Sequence, residues 1–294
     1  MSARLLILCP GQGSQHAGMF DMARGERPAQ ALLERLALPP LDDLFANRSA
    51  QPLVLAGTLA MWEAVRQFAP TPALVAGYSI GELSAYAVAG ALDPAEAVAL
   101  AGVRAGLMDA CVSAPQALLA ISGSRVSAAA RLLAPCGFEI AIVTAEDSCI
   151  AGGLGGDAQR ATNLLRGTGA HVTALPVAVA SHTSYMAPAV QPFLGALQAM
   201  RSPALPVLAG IDAARITSRE AAITALARQL SETIVWSDCM DACAEAGITV
   251  ALELGPGAAL SRMLQTRHPG IACRSVAEFR SIDAVAHWLE RQCA

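Results

Sequence analysis

Two kinds of apolar pattern alternate along the chain. Short unbroken runs such as "RLLILC" and "PALVAGY" carry no polar position, as expected of strands buried on both faces. Longer stretches such as "QPLVLAGTLAMWEAVRQF" and "DPAEAVALAGVRAGLMDAC" space their polar residues at helical intervals. In the second, Asp93 is the expected N-cap and Pro94 the first helical residue. A further helix is expected immediately after Ser79. Strand and helix in alternation predict an α/β fold with a parallel, helix-covered sheet.

The middle of the chain reads differently. "ALLAIS" predicts a strand, "RVSAAARLLAPC" a helix and "FEIAIVTA" a strand. "SCIAGG" reads as a Gly-rich turn, and "DAQRATNLLRGTG" and "HVTALPV" follow as helix and strand. The order is read as β-α-β-β-α-β, the ferredoxin-like pattern. It places a small inserted domain at residues 115–177 within a larger α/β domain made of 1–114 and 178–294. The α/β pattern then resumes with "MAPAVQPFLGALQAM" as helix, "PVLAG" as strand, "VALELGPG" as strand and turn, and "ALSRMLQ" as helix.

Composition narrows the chemistry. Of the 294 residues 54% are hydrophobic and 15% charged, which describes a chain that folds around a core. The net charge of −4 comes with no basic block, which argues against a nucleic-acid partner. All 20 basic residues are arginine, so a PLP Schiff base, a Walker-A lysine and a Ser-Lys dyad are excluded. The eight cysteines form no CxxC pair, and Cys239 with Cys243 lacks the further ligands a metal would need, so no metal site is expected. The uncharged stretch from Gly167 to Met200 is interrupted by Pro176, Pro188, Pro192 and "SHTSY", and is read as strand, loop and helix and not as a membrane span. The apolar run at the N-terminus is too short for a signal peptide; the expectation is a cytoplasmic protein with reduced thiols.

One corner carries the sharpest signal. In "ALVAGYSIGELSAYAVAGAL" a buried strand ends at Gly77-Tyr78-Ser79-Ile80-Gly81 and a small-residue helix begins. This is the G-x-S-x-G arrangement in its strand–turn–helix setting, which holds a serine oxygen clear of the sheet as a nucleophile. The amide of Ile80, at a helix N-terminus, then points where an oxyanion would form. A serine needs a base. Among the five histidines, His182 in "VAVASHTSYMAP" is expected to follow a buried strand into a loop, where α/β folds present site residues. No acid precedes it closely, so a backbone carbonyl is the alternative orienter. "CPGQGSQ" is either a second source of oxyanion N–H groups or a tight turn; "ELGPGAAL" reads as structural. Arg104 lies in an otherwise apolar helix, where a cation is costly unless paired. It pairs with a core acid such as Glu82, reaches the surface, or grips a substrate carboxylate.

"PGQGSQ", "GYSIGELSAYAVAGALD", "VRAGLM", "VASHTSYM" and "VWSDCMDACAEAGITVALELGPGAALSRML" occur in the order found in malonyl-CoA:acyl carrier protein transacylases, and the resemblance runs essentially end to end. It implies an α/β-hydrolase-like large domain with an inserted ferredoxin-like small one. It implies Ser79 as acyl-accepting nucleophile, His182 as base, the main-chain N–H groups of Gln12 and Ile80 as oxyanion hole, and Arg104 as the grip on the malonyl carboxylate. It further implies that the carbonyl of Val235, before Trp236, orients the histidine. The substrate would be malonyl-CoA and the acceptor a phosphopantetheine-type thiol on an acyl carrier protein, with no bound cofactor.

Two features depart from the family. Tyr78 stands where histidine usually precedes the serine, and the segment before the elbow is shorter. The "GYS-GEL" elbow is similar to that of the transacylase (epsilon) subunit of biotin-independent malonate decarboxylases. The rival functions are a serine hydrolase or thioesterase, with a carboxylate on His182 and no need for Arg104, and a carrier-docking subunit with Ser79 buried.

Overall fold

The computed structural model describes residues 3–293; the outermost residues of the domain limits read above, 1, 2 and 294, lie outside it. Eleven strands are present among the described residues: β1 (Leu5–Cys9), β2 (Leu74–Gly77), β3 (Gln116–Ser122), β4 (Glu139–Ala145), β5 (Ser148–Leu154), β6 (His171–Ala174), β7 (Val207–Leu208), β8 (Arg215–Ile216), β9 (Ile234–Val235), β10 (Val250–Glu253) and β11 (Ala272–Ser275).

Six of them form the main sheet in the order β11-β10-β1-β2-β7-β8. Its pairings are parallel except at the edge, where β8 returns antiparallel to β7. The central strands alternate their side chains between two cores. Leu5, Ile7 and Cys9 of β1 enter the larger apolar cluster, and Leu6 and Leu8 the cluster on the opposite face. Both faces are covered, which is why "LLILC" carries no polar position.

The other sheet runs β6-β3-β5-β4-β9. Four strands of residues 116–174 pair antiparallel and enclose their own small core with the helices Val126–Leu133 and Ala158–Arg166. The segment expected to be a Gly-rich turn is instead strand β5, paired with both β3 and β4. Its glycines are there for close packing: a methyl group at Gly152 would lie 2.9 Å from Leu118, and one at Gly153 would overlap the Phe138 ring. The fifth strand, β9, comes from much later in the chain and pairs parallel with β4 at Ile142–Ile234 and Val143–Val235. No helix among the described residues is long and apolar enough to cross a membrane.

The corner at Ser79 is built by sterics. A methyl group on Gly77 would overlap the backbone of Gly81 and Glu82, and one on Gly81 would overlap the carbonyls of Cys9 and Pro10. Only glycine lets the helix Ile80–Val88 start so close to the ends of β1 and β2. Ser79 itself takes φ +56° and ψ −118°, a conformation costly for any residue with a Cβ.

Candidate active site

Ser79 is half-buried at the carboxyl end of β2, and its Oγ lies 2.7 Å from Nε2 of His182. The two residues are 103 positions apart, and the fold alone brings them into contact. His182 is buried, at 1% exposure, and like Ser79 has a positive φ, +62°. It does not follow a buried strand as expected: β6 ends at Ala174, and residues 175–181 run as irregular chain. Pro176, which has no amide to donate, stands two residues past that strand end. Side chains hold the segment instead. The Ala180 amide donates to Gln116 Oε1 at 2.7 Å, and Thr183 Oγ1 donates to the Ala180 carbonyl at 2.5 Å.

The orienter of His182 is a backbone carbonyl, but of a different residue from the one expected. Nδ1 lies 2.6 Å from the carbonyl of Gln229, and the His182 amide donates to the Leu230 carbonyl at 2.9 Å. Val235 is instead a residue of β9, and its amide donates to the Gly210 carbonyl. The physical reason is the helix Arg219–Gln229, whose last carbonyls have no partner within the helix and carry its negative end. Because a carbonyl can only accept, Nδ1 carries the proton and the Nε2 lone pair faces the serine hydroxyl.

Burial, and secondarily the nearby positive charge of Arg104, push His182 down to about 3, against the opposing pull of the Gln229 carbonyl. The imidazole is therefore neutral, and able to accept a proton, throughout the neutral and mildly acidic range. Reaction of Ser79 with an uncharged ester such as p-nitrophenyl acetate should show no inflection near pH 6.5, where an ordinary histidine titrates, when its rate is followed from pH 8 to pH 5. The linkage to stability has the same origin. Above pH 6.5 the buried imidazole costs no proton; as pH falls from 6.5 toward 3 the unfolded chain binds a proton that the folded one excludes, and stability declines.

The loop after β1 lies against the serine. A methyl group at Gly11 would be 2.9 Å from the Tyr78 carbonyl and 3.8 Å from Ser79 Cβ. Gln15 folds the loop, accepting from the Gly13 amide and donating to the Leu44 carbonyl. The "ELGPG" turn packs behind it, so close that a methyl group at Gly257 would overlap Ser14. Neither the Gln12 nor the Ile80 amide donates to any group among the described residues. Gln12 also lines a cleft of about 660 Å³ with Asn47, Gln116, Pro176 and Val177.

Arg104 is 1% exposed, so it does not reach the surface. Nor does it contact Glu82 directly. Its Nη1 donates to Gln51 Oε1 at 2.8 Å and its Nη2 to Gln229 Oε1 at 3.1 Å, both neutral amides. Burial lowers the guanidinium to about 10, with the charge of Glu82 opposing the shift, so it stays a cation at neutral pH. Gln229 also donates through Nε2 to the Ser79 carbonyl at 3.1 Å and to Glu82 Oε2 at 2.6 Å. Gln51 and Gln229 are the participants that sequence reading missed, since a glutamine inside a helix carries no chemical signature. Tyr78 packs edge-on against Trp236 with ring centroids 5.3 Å apart.

This arrangement has the elements of acyl transfer: a hydroxyl hydrogen-bonded to a neutral imidazole and a buried cation one side chain away. No group of three or more potential metal ligands occurs among the described residues, and all eight cysteines are free thiols.

Known proteins agree with that class. The chain belongs to the acyl transferase domain family, whose model matches residues 7–281, and within it to the malonyl CoA-acyl carrier protein transacylases. The Mycobacterium bovis malonyl CoA-acyl carrier protein transacylase is 31% identical over 306 residues, spanning 96% of this chain and 99% of its own. The crystal structure of FabD from Acinetobacter baumannii superposes with a TM-score of 0.92 at 26% identity, covering 99% of both chains. A malonyl-transacylase solved in complex with its type II PKS acyl-carrier protein superposes at 0.88 with 25% identity, over 97% of this chain and 99% of that one.

Proposed function

We propose that the protein transfers a malonyl group from malonyl-CoA, through an ester on Ser79, to the thiol of an acyl carrier protein. The observation that carries the reading is the buried Arg104, held by two neutral amides beside the Ser79–His182 pair. A cation so placed has charge to spare for an acyl group ending in a carboxylate. The relatives' names, malonyl CoA-acyl carrier protein transacylase and a malonyl-transacylase with its acyl-carrier protein, support the same substrate and acceptor.

His182 Nε2 takes the hydroxyl proton as Ser79 Oγ attacks the thioester carbonyl. The Gln12 and Ile80 amides stabilise the oxyanion, a contribution of about 3 kcal/mol for each donor. The thiolate of CoA leaves with the proton from His182, while Arg104 keeps the malonyl carboxylate in register. The carrier's phosphopantetheine-type thiol then gives its proton to His182 and attacks the ester, reversing the steps. The hydrolase reading is disfavoured, because no carboxylate stands on His182 and Arg104 has a place in the site.

The finer architecture belongs to this reading. Residues 1–114 and 178–294 form a hydrolase-like domain, and 115–177 a ferredoxin-like insertion, a description supported by the strand order β6-β3-β5-β4 with two helices on one face. Tyr78 in the elbow favours the malonate decarboxylase branch, with that enzyme's carrier subunit as acceptor in the cytoplasm. The test is intact-mass measurement after brief incubation with malonyl-CoA and, in parallel, acetyl-CoA. A malonyl adduct mapping to Ser79, with little acetyl adduct, is expected; release of free CoA without any adduct would instead mark a hydrolase.

A further inference from the structure

Glu82 has no part in the steps above, yet it is wholly buried next to the residues that do. It is the third residue of the helix that begins after Ser79, and its side chain has 0% exposure. Its hydrogen bonds are lopsided. Oε2 accepts both from the Gln229 amide group at 2.6 Å and from the Gly210 backbone amide at 2.9 Å, whereas Oε1 is buried with no partner. Gly210 is a site of close approach: even a methyl group there would lie 3.0 Å from Oε2. A buried carboxylate is costly, and one oxygen left unpaired makes it more so.

The next link is the amide of Gln229. A glutamine side chain has a donor end and an acceptor end, and which end points where is set by its neighbours. Burial raises Glu82 to about 7, yet in either protonation state Oε2 accepts, and the Nε2 end of Gln229 faces that oxygen and the Ser79 carbonyl. The Oε1 end is thereby turned to Arg104. Were the amide reversed, its NH₂ would face the guanidinium, donor against donor, while its oxygen faced the carboxylate. Arg104 would lose one of its two holders and its orientation with it.

We infer that Glu82 is a positioning residue for acyl selectivity: by holding the Gln229 amide in one orientation, it keeps Arg104 aimed and uncancelled for the carboxylate of the acyl group. The inference rests on the reading of Arg104 given above. It also explains why an acid is kept one side chain away from this arginine: a direct ion pair would occupy the guanidinium that the substrate must reach. The feature that matters is the position of an acceptor atom, with the carboxylate's charge secondary.

Two substitutions separate acceptor from charge. Glu82→Gln keeps an oxygen at the Oε2 position and loses the charge. Glu82→Asp keeps a carboxyl group and withdraws the acceptor by one methylene. The quantity to measure is the ratio of kcat/KM for malonyl-CoA to that for acetyl-CoA, with Arg104→Ala alongside and thermal melting to verify folding. Glu82→Gln should keep the ratio within about twofold, and Glu82→Asp should lower it about tenfold, the worth of one hydrogen bond to a charged group. A fall in both substrates together, or a larger loss in Glu82→Gln than in Glu82→Asp, overturns the inference, as does an unchanged ratio in Glu82→Asp. If Arg104→Ala leaves the ratio unchanged, the carboxylate grip itself fails and the inference goes with it. If Arg104→Ala collapses the ratio while Glu82→Asp does not, only the role of Glu82 fails.

Discussion

Ser79→Ala abolishes the malonyl adduct and lowers transfer to the carrier protein on the order of 10⁶-fold, the scale of nucleophile loss in serine enzymes. The fold should survive, because the corner depends on Gly77 and Gly81 and not on the hydroxyl. His182 loses the contact at Nε2 but keeps its grip on the Gln229 carbonyl. Intact mass and a carrier-acylation assay are the measurements. A malonyl adduct that persists in Ser79→Ala would move the nucleophile to another residue and end the proposed mechanism.

Arg104→Ala is expected to divide the two acyl groups. With malonyl-CoA, kcat/KM should fall about 100- to 1000-fold, the cost of removing one partner of a buried charge pair. With acetyl-CoA, which presents no carboxylate, the loss should be much smaller; equal losses would dismiss the carboxylate role. The variant also leaves the amide oxygens of Gln51 and Gln229 without their donor inside the protein, so the unfolding free energy should fall by about 1–3 kcal/mol for each. A third effect has a fixed sign. Arg104 helps to hold His182 low, so its removal lets the imidazole rise toward its ordinary range. The acid limb of ester cleavage by Arg104→Ala should therefore lie at higher pH than in the unmodified protein.

The parts of the site that could be read from the residues are those with a steric or electrostatic signature. Ser79 stood out because two glycines at a strand–helix corner have few other uses. Arg104 stood out because a cation in an apolar helix needs a reason. Gln229 leaves no such trace: only folding reveals that its carbonyl lies against His182 while its side-chain amide reaches Glu82 and Arg104. The carbonyl of Val235 was the wrong expectation for the same reason, since main-chain atoms are identical in every residue and their placement belongs to the tertiary fold. The long buried strands of the main sheet were legible from their apolar runs. β7 is legible within "PVLAG", whereas β8 and β9, two residues each, carry almost no periodicity, and β5 is obscured by glycines that let other side chains in.

Ser79 and His182 both hold a backbone conformation that suits glycine better than themselves, and strain of that kind costs about 1–3 kcal/mol at each position. Durability and catalysis therefore pull in opposite directions at 79, where Ser79→Gly would relieve the strain and remove the nucleophile together. At 182 the trade differs: glycine would relieve the backbone but empty a buried site and leave the Gln229 carbonyl without its donor, so packing holds the histidine there as firmly as chemistry does.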